Sequence, residues 1–236
     1  MTPRPLARTR RAALFACAAG LLALAGCDPR QALYFLQPFE SKIRADCPTS
    51  LKGKRVVIVA NITPGVGGDF VSIDQALTTE LVKILRKHVR KLEIVDPEKV
   101  RTWVQNKPSW SDPAELAEAF EADVVIWMEV RQFETQNPSS PDLLRGQSKV
   151  HVVVTEMKPP TDERGRPLKD RPRMAEKVYE NDCETTFPVT GHQIPEPGSS
   201  ADSFKKKFLE LVATEISWSF IDHAPGDDIQ DTRSRQ

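Results

Sequence analysis

Arg55-Val-Val-Ile-Val-Ala60, Leu92-Glu-Ile-Val95 and Ala122-Asp-Val-Val-Ile-Trp-Met-Glu-Val130 are three apolar bursts set between amphipathic stretches. Short apolar runs that alternate with helical periodicity are the pattern of βαβ units on a largely parallel sheet. Val56 to Val59 shows no polar alternation, which suits a central strand covered on both faces. The stretch from Arg55 to Phe133 therefore decides the fold class, α/β with a parallel βαβαβ core.

The helix signals between these strands are local. Ser72, with Gln75 three residues on, reads as a capping box, and Ile73, Leu77, Leu81, Ile84, Leu85 and His88 recur on one helical face. Arg86, Lys87, Arg90 and Lys91 gather where that helix ends, and cations there oppose the helix dipole. The cluster reads as a solvated face rather than a ligand site. Asp96-Pro97 and Asp112-Pro113 each set a cap before a proline at the first helical position. Val100, Trp103 and Val104 form the inward side of the first of these helices; Leu116, Ala117 and Phe120 form that of the second. The loop from Asn61 to Phe70 holds Gly65-x-Gly67, but Phe70 stands where a third glycine would and no Gly-Lys-Ser/Thr follows. A turn-rich loop is favoured over a phosphate cradle.

Composition shifts from Gln132 onward, and Asn137 to Pro141 reads as a loop. Ser148 to Met157 is a strand with Val150, Val152 and Val154 on one side. Glu176 to Phe187 is another, with Tyr179, Cys183 and Phe187 sharing a face. Two successive strands without an intervening helix imply an antiparallel hairpin added to the parallel core. The proline-rich, charged stretches Lys158 to Met174 and Pro188 to Ser200 are loops. In the last helix, Ser203 to Asp222, Phe204, Phe208, Val212, Ile216 and Phe220 make an i, i+4 stripe that must pack on the sheet or on a partner. The expected layout is a tether over 28–53, one α/β domain over 54–222 with a mixed sheet, and a disordered polar tail over 223–236.

The first 27 residues are read as a targeting segment rather than as structure. Arg4, Arg8, Arg10 and Arg11 precede an apolar run from Ala12 to Ala25. That run is too short to cross a bilayer as a helix, which needs about 20 residues. It closes on Leu24-Ala25-Gly26-Cys27, which resembles the lipobox of bacterial lipoproteins. The resemblance implies cleavage before Cys27 and diacylglycerol on its thiol. More than one acyl chain gives a stable anchor. The expected location is the bacterial cell envelope, with a lipid-anchored protein facing the periplasm. Ala13 stands where a twin-arginine signal wants a large apolar residue, so general secretion is preferred. Asp28 resembles the inner-membrane retention signal of some bacteria. Tyr34, Phe35, Leu36 and Phe39 either sit at lipid headgroups or pack on the domain.

The whole chain carries 33 basic and 33 acidic residues, and loss of the four signal arginines leaves 29 against 33. No basic excess is available to neutralise nucleic-acid phosphates. Cys17 leaves with the signal and Cys27 takes the lipid. Cys47 and Cys183 remain in an oxidising compartment, where a disulfide between them is expected; two unpaired thiols are the alternative.

Lys54-Arg55-Val-Val-Ile-Val, a long helix, Leu92-Glu-Ile-Val-Asp96 with Val100 following, then Leu116-Ala117 before Ala122-Asp-Val-Val-Ile126 form an ordered series. From Lys54 to Glu134 it resembles the α/β domain shared by the TolB amino-terminal region, the curli-secretion lipoprotein CsgG and the lipoprotein activators of penicillin-binding proteins. The resemblance implies an envelope adaptor or assembly module without an active site. The sequence departs from that family at Glu121, where a glycine usually precedes the Ala-Asp of the third strand. Prolines and charges fill the places where the curli pore carries membrane-spanning hairpins, so a pore is not expected.

The residues assemble no catalytic constellation. His88, His151, His192 and His223 are widely spaced, and neither His-Glu-x-x-His nor Gly-x-Ser-x-Gly occurs. Glu180, Asp182 and Glu184 alternate along one strand face and read as solvent-facing acids of an edge strand rather than a cation site. No catalytic residue, metal ligand or cofactor is expected. The leading expectation is a non-catalytic adaptor that binds another envelope protein, with oligomerisation allowed. The alternatives are a small-ligand-binding lipoprotein using Thr63 to Phe70, and a divergent hydrolase. The anchor has a direct check: radioactive fatty acid should label the wild-type protein and hold it in the membrane fraction, and Cys27→Ala should lose both.

Overall fold

The computed structural model describes residues 42–64, 66, 72–108, 110–137, 140–160, 172–188 and 201–224. The lipobox Leu24, Ala25, Gly26 and Cys27, the aromatics Tyr34 to Phe39, most of the Gly65–Phe70 loop, His192 and the acidic tail lie outside them. Five strands form one mixed sheet in the order β2-β1-β3-β4-β5. Strand β1 (Arg55–Ile62) pairs in parallel with β2 (Glu93–Ile94) on one side and with β3 (Val124–Asn137) on the other. Strands β4 (Ser140–Lys158) and β5 (Met174–Phe187) then add antiparallel, so the expected parallel core with an antiparallel extension is the observed sheet.

Lengths differ from the sequence reading. Strand β2 shrinks to two residues, whereas β3 runs to Asn137 and β4 begins at Ser140. The stretch read as a loop is thus the tip of a long hairpin. Register shifts at Val130/Gln132 and Glu134/Gln136 interrupt its ladder, and Phe133 and Leu144 of the hairpin remain buried in the core.

Helices α1 (Ile73–His88), α2 (Pro97–Asn106), α3 (Pro113–Ala119) and α4 (Ala201–Trp218) cover the sheet. Asp96 and Asp112 cap as read, accepting from Glu98 N at 3.0 Å and Ala114 N at 2.8 Å, each ahead of its proline. The capping box at Ser72 does not form. Ser72 adopts φ 78° and makes no side-chain cap, and Gln75 instead donates to Glu98 Oε1 of α2 at 2.8 Å. His88 is exposed rather than part of the buried α1 face, which consists of Ile73, Leu77, Thr78, Leu81, Val82 and Leu85.

Two apolar layers result. Helices α1 and α4 bury Leu77, Leu81, Phe208, Val212 and Ile216 against Val56, Ile58, Ile126, Val150 and Val152. On the other face, α2 and α3 bury Val100, Leu116 and Ala117 against Val57, Val59 and Val125. The α4 stripe packs on its own sheet, not on a partner. Phe208 meets Phe133 at 5.2 Å between centroids and Phe204 meets Phe187 at 5.4 Å, within the range where aromatic pairs attract. A Cβ on Gly146 of β4 would collide with the Phe208 ring, so the strand is bare where the helix bears on it.

The domain also starts earlier than the sequence suggested. Cys47 and Leu51 are buried in the α1/α4 layer, Cys47 N donates to Ser219 O at 2.9 Å, and Ile43 forms an antiparallel bridge with His223. Lys42 to Gly53 therefore belong to the folded unit rather than to the tether, and His223 belongs to it rather than to the tail.

Glu121 has φ 52°, the left-handed region that side chains resist and glycine tolerates. It is the turn between α3 and β3, fixed by Ala122 N donating to Ala117 O at 2.8 Å. Glu121→Gly should raise the unfolding free energy by about 1 kcal/mol in urea denaturation, since relief of the left-handed strain exceeds the entropy lost by glycine.

Candidate functional site

The strand registers set a charged lattice on the sheet face that α2 and α3 leave open. Glu129 of β3 stands opposite His151 of β4, and His151 stands opposite Asp182 of β5. His151 Nδ1 lies 2.6 Å from Asp182 Oδ1 and its Nε2 lies 3.1 Å from Glu180 Oε1. One ring thus faces a carboxylate at each nitrogen. Arg131 joins Glu129 at 2.9 Å and Asp182 at 3.2 Å, while Lys149 holds Glu184 at 2.7 Å and Asp182 at 3.6 Å. Trp127 and Val153 border the lattice on the same face, opposite one another across β3 and β4. The acids Glu180, Asp182 and Glu184 face solvent as expected, yet each holds a cation of this chain. A register of 151 against 182 would have revealed this, because Lys149-x-His151 then stands beside Glu180-x-Asp182-x-Glu184.

The hydrogen bond from His151, helped by Arg131, holds the Asp182 carboxyl below its usual range. Lys177 does the same for Glu180. At the far end of β4, burial pushes Glu156 up, but hydrogen bonds from Lys54 and Thr49 outweigh it and leave the group below its usual value.

A second feature is a cavity of about 310 Å³ beside β1. Strand β2 ends at Ile94, and Val95 N bonds Val56 O at 3.0 Å as the last rung. The edge of β1 from Ile58 to Asn61 therefore faces open space between α1 and α2, under the Gln75–Glu98 bridge. Val100 and Val104 supply apolar wall; Asn61, Thr78 and Gln105 supply amide and hydroxyl groups.

The expected Cys47–Cys183 bridge is not present: both are free thiols. Each engages Ser219 instead, Cys47 through its backbone N–H and Cys183 through its side chain. Burial pushes the Cys183 thiol up to about 11 and raises Cys47 as well. Among the described residues, the histidines are not brought together. His88 is exposed at the end of α1, His151 sits in the lattice, and His223 stacks on Trp218 at 4.6 Å. Among the described residues, no group of three or more His, Cys, Asp and Glu side chains could hold a metal ion. Within the same residues, no helix is long and apolar enough to cross a membrane.

The molecule is thus an α/β domain with one open, ion-paired sheet face. No protein-family model and no curated protein matches the chain. Among solved structures it is similar to the hypothetical protein CT253 of Chlamydia trachomatis, at 10% identity over 71% of this chain and 98% of that one, TM-score 0.42. It is also similar to the PelC dodecamer of Paraburkholderia phytofirmans, at 11% identity over 77% and 97%, TM-score 0.40. Lipoprotein GNA1162 of Neisseria meningitidis matches at 9% identity over 68% and 98%, TM-score 0.38.

Lowered carboxyl pKa values add stability above the ordinary carboxylate pKa, near 4, and that stability is lost as pH falls through the lowered values. The urea midpoint should therefore fall as the pH is taken from about 5 downward. In a carboxyl-carbon NMR titration, His151→Phe should move Asp182 up toward its ordinary value and leave Glu156 where it is.

Proposed function

We propose that this chain is a lipid-anchored envelope protein whose α/β domain is a non-catalytic adaptor for another envelope protein. The observation that supports this reading is the open half of the sheet. It carries the half-buried Trp127 beside the lattice, and its charges are held by one another. Ion pairs within one face keep long side chains ordered before any partner arrives, which lowers the entropy lost on binding. Aromatic and aliphatic anchors ringed by polar groups are the usual anatomy of a protein interface.

A second reading, a small-ligand-binding lipoprotein, draws on the cavity beside β1. Its volume lies at the lower end for small-molecule sites, and it combines apolar walls with a few amide and hydroxyl groups. The two readings place the contact on different surfaces. A photo-crosslinking residue at Glu184 or Glu180 should give a discrete protein adduct in intact cells, and one at Thr79 on α1 should not. Adducts from neither sheet position would remove the adaptor reading, whereas cavity-filling Thr78→Trp leaving the adducts unchanged would separate it from the ligand reading.

A further inference from the structure

The exposed cations that form no ion pair among the described residues lie, apart from Lys99, Lys206 and Lys207, in two sets. Lys54, Arg55 and Lys83 each hold a carboxylate, as do Arg131, Lys149, Lys158 and Lys177 elsewhere. In contrast, Arg86, Lys87, Arg90 and Lys91 at the end of α1 are exposed, and none forms an ion pair among the described residues. The same is true of Lys42, Arg44 and Lys52 in the segment that leads into β1. The fold brings these two sets to one end. Helix α1 finishes where β2 begins, beside Arg55 and one turn of chain from Lys52. Helix α4 packs along α1 and finishes at Trp218, where Cys47 and Ile43 are bonded to Ser219 and His223. Most acids at this end are engaged: Glu93 holds Arg55, Glu156 holds Lys54, Asp123 accepts from Arg55 N and pairs with Arg173, and Asp222 accepts from Ala45 N, which leaves Asp46, Glu118 and Glu121 exposed against the seven cations.

We infer that this basic end docks on anionic lipid headgroups. The inference rests on the anchored reading and names what the anchored domain touches. The chain enters the folded unit at Lys42, inside the basic set. Fourteen residues lie between Cys27 and Lys42, a span of at most about 50 Å when extended and roughly 20 Å as a flexible coil. An acylated Cys27 would thus hold the cations near the bilayer at high effective concentration. Each Lys or Arg at an anionic surface is worth about a fivefold gain in partition, so seven of them matter even if few engage together. The chain as a whole is not basic, and this local excess is invisible in its total charge. Docking orients the domain with β1, β3 and the hairpin tip directed away from the headgroups.

The test uses the mature full-length protein, extracted from membranes and reconstituted into vesicles of phosphatidylcholine alone or of 3:1 phosphatidylcholine and phosphatidylglycerol. Acetylation of each lysine is followed by mass spectrometry. Lys42, Lys52, Lys87 and Lys91 should react about tenfold more slowly on the anionic vesicles, 1 M salt should abolish the difference, and Lys107 and Lys149 should be indifferent throughout. The triple variant Lys87→Gln, Arg90→Gln, Lys91→Gln should restore the reactivity of Lys42 and Lys52 without affecting co-flotation. Equal rates on both vesicles for a protein that floats with both would overturn the docking and leave the anchor standing. A protein that floats with neither removes both; one that floats only with anionic vesicles removes the anchor and keeps the basic end.

Discussion

Strand β3 is the element on which the other parts depend. From Val124 to Val130 it pairs in parallel with β1 on one edge and antiparallel with β4 on the other, so every backbone group in that run has a ladder to join. Its side chains supply both layers, with Ile126 and Met128 under α1 and α4 and Val125 under α3, all fully buried. A strand of this kind fixes the direction of both neighbours. The parallel half must then return through helices, and the antiparallel half can turn directly, as the long β3–β4 hairpin does.

The two halves of the sheet consequently meet different surroundings. Where the chain returns through helices, both faces are covered and the strands are uniformly apolar. Where it turns directly, α4 covers one face, while on the other α3 covers the end near Met157 and the charged row of β4 and β5 is reached by solvent. There the alternation of β4 and β5 becomes chemistry, with valines inward and Lys149, His151, Glu180 and Asp182 outward. The open face is therefore a result of connectivity as much as of composition.

The alternating bursts were legible because they obey local rules. The same holds for the Asp-Pro helix starts and the α4 stripe, whose periodicity carries the information within one segment. What escaped depended on residues distant in sequence. Ser72 carried the local signature of a cap, but Gln75 found Glu98, 23 residues on, and the box did not close. The Cys47–Cys183 expectation rested on count and compartment, and the fold gave each cysteine the same neighbour, Ser219, rather than one another. Lys42 to Gly53 looked like tether because burial of Cys47 and Leu51 requires the end of α4, about 170 residues away. Glu121 is the instructive middle case. Its departure from a glycine was visible, and only the backbone angle gives that departure a physical meaning.

The Ile43–His223 bridge makes the first and last described segments of the domain neighbours. It lies outside the sheet and is backed by Ala45 on Asp222 and Cys47 on Ser219. A tension arriving through Lys42 would meet these contacts in sequence, as a zipper does, before reaching the buried Leu51. Peeling of the entry segment can therefore absorb a pull while the sheet keeps its shape, so for any force applied at Lys42 that segment is a mechanical fuse.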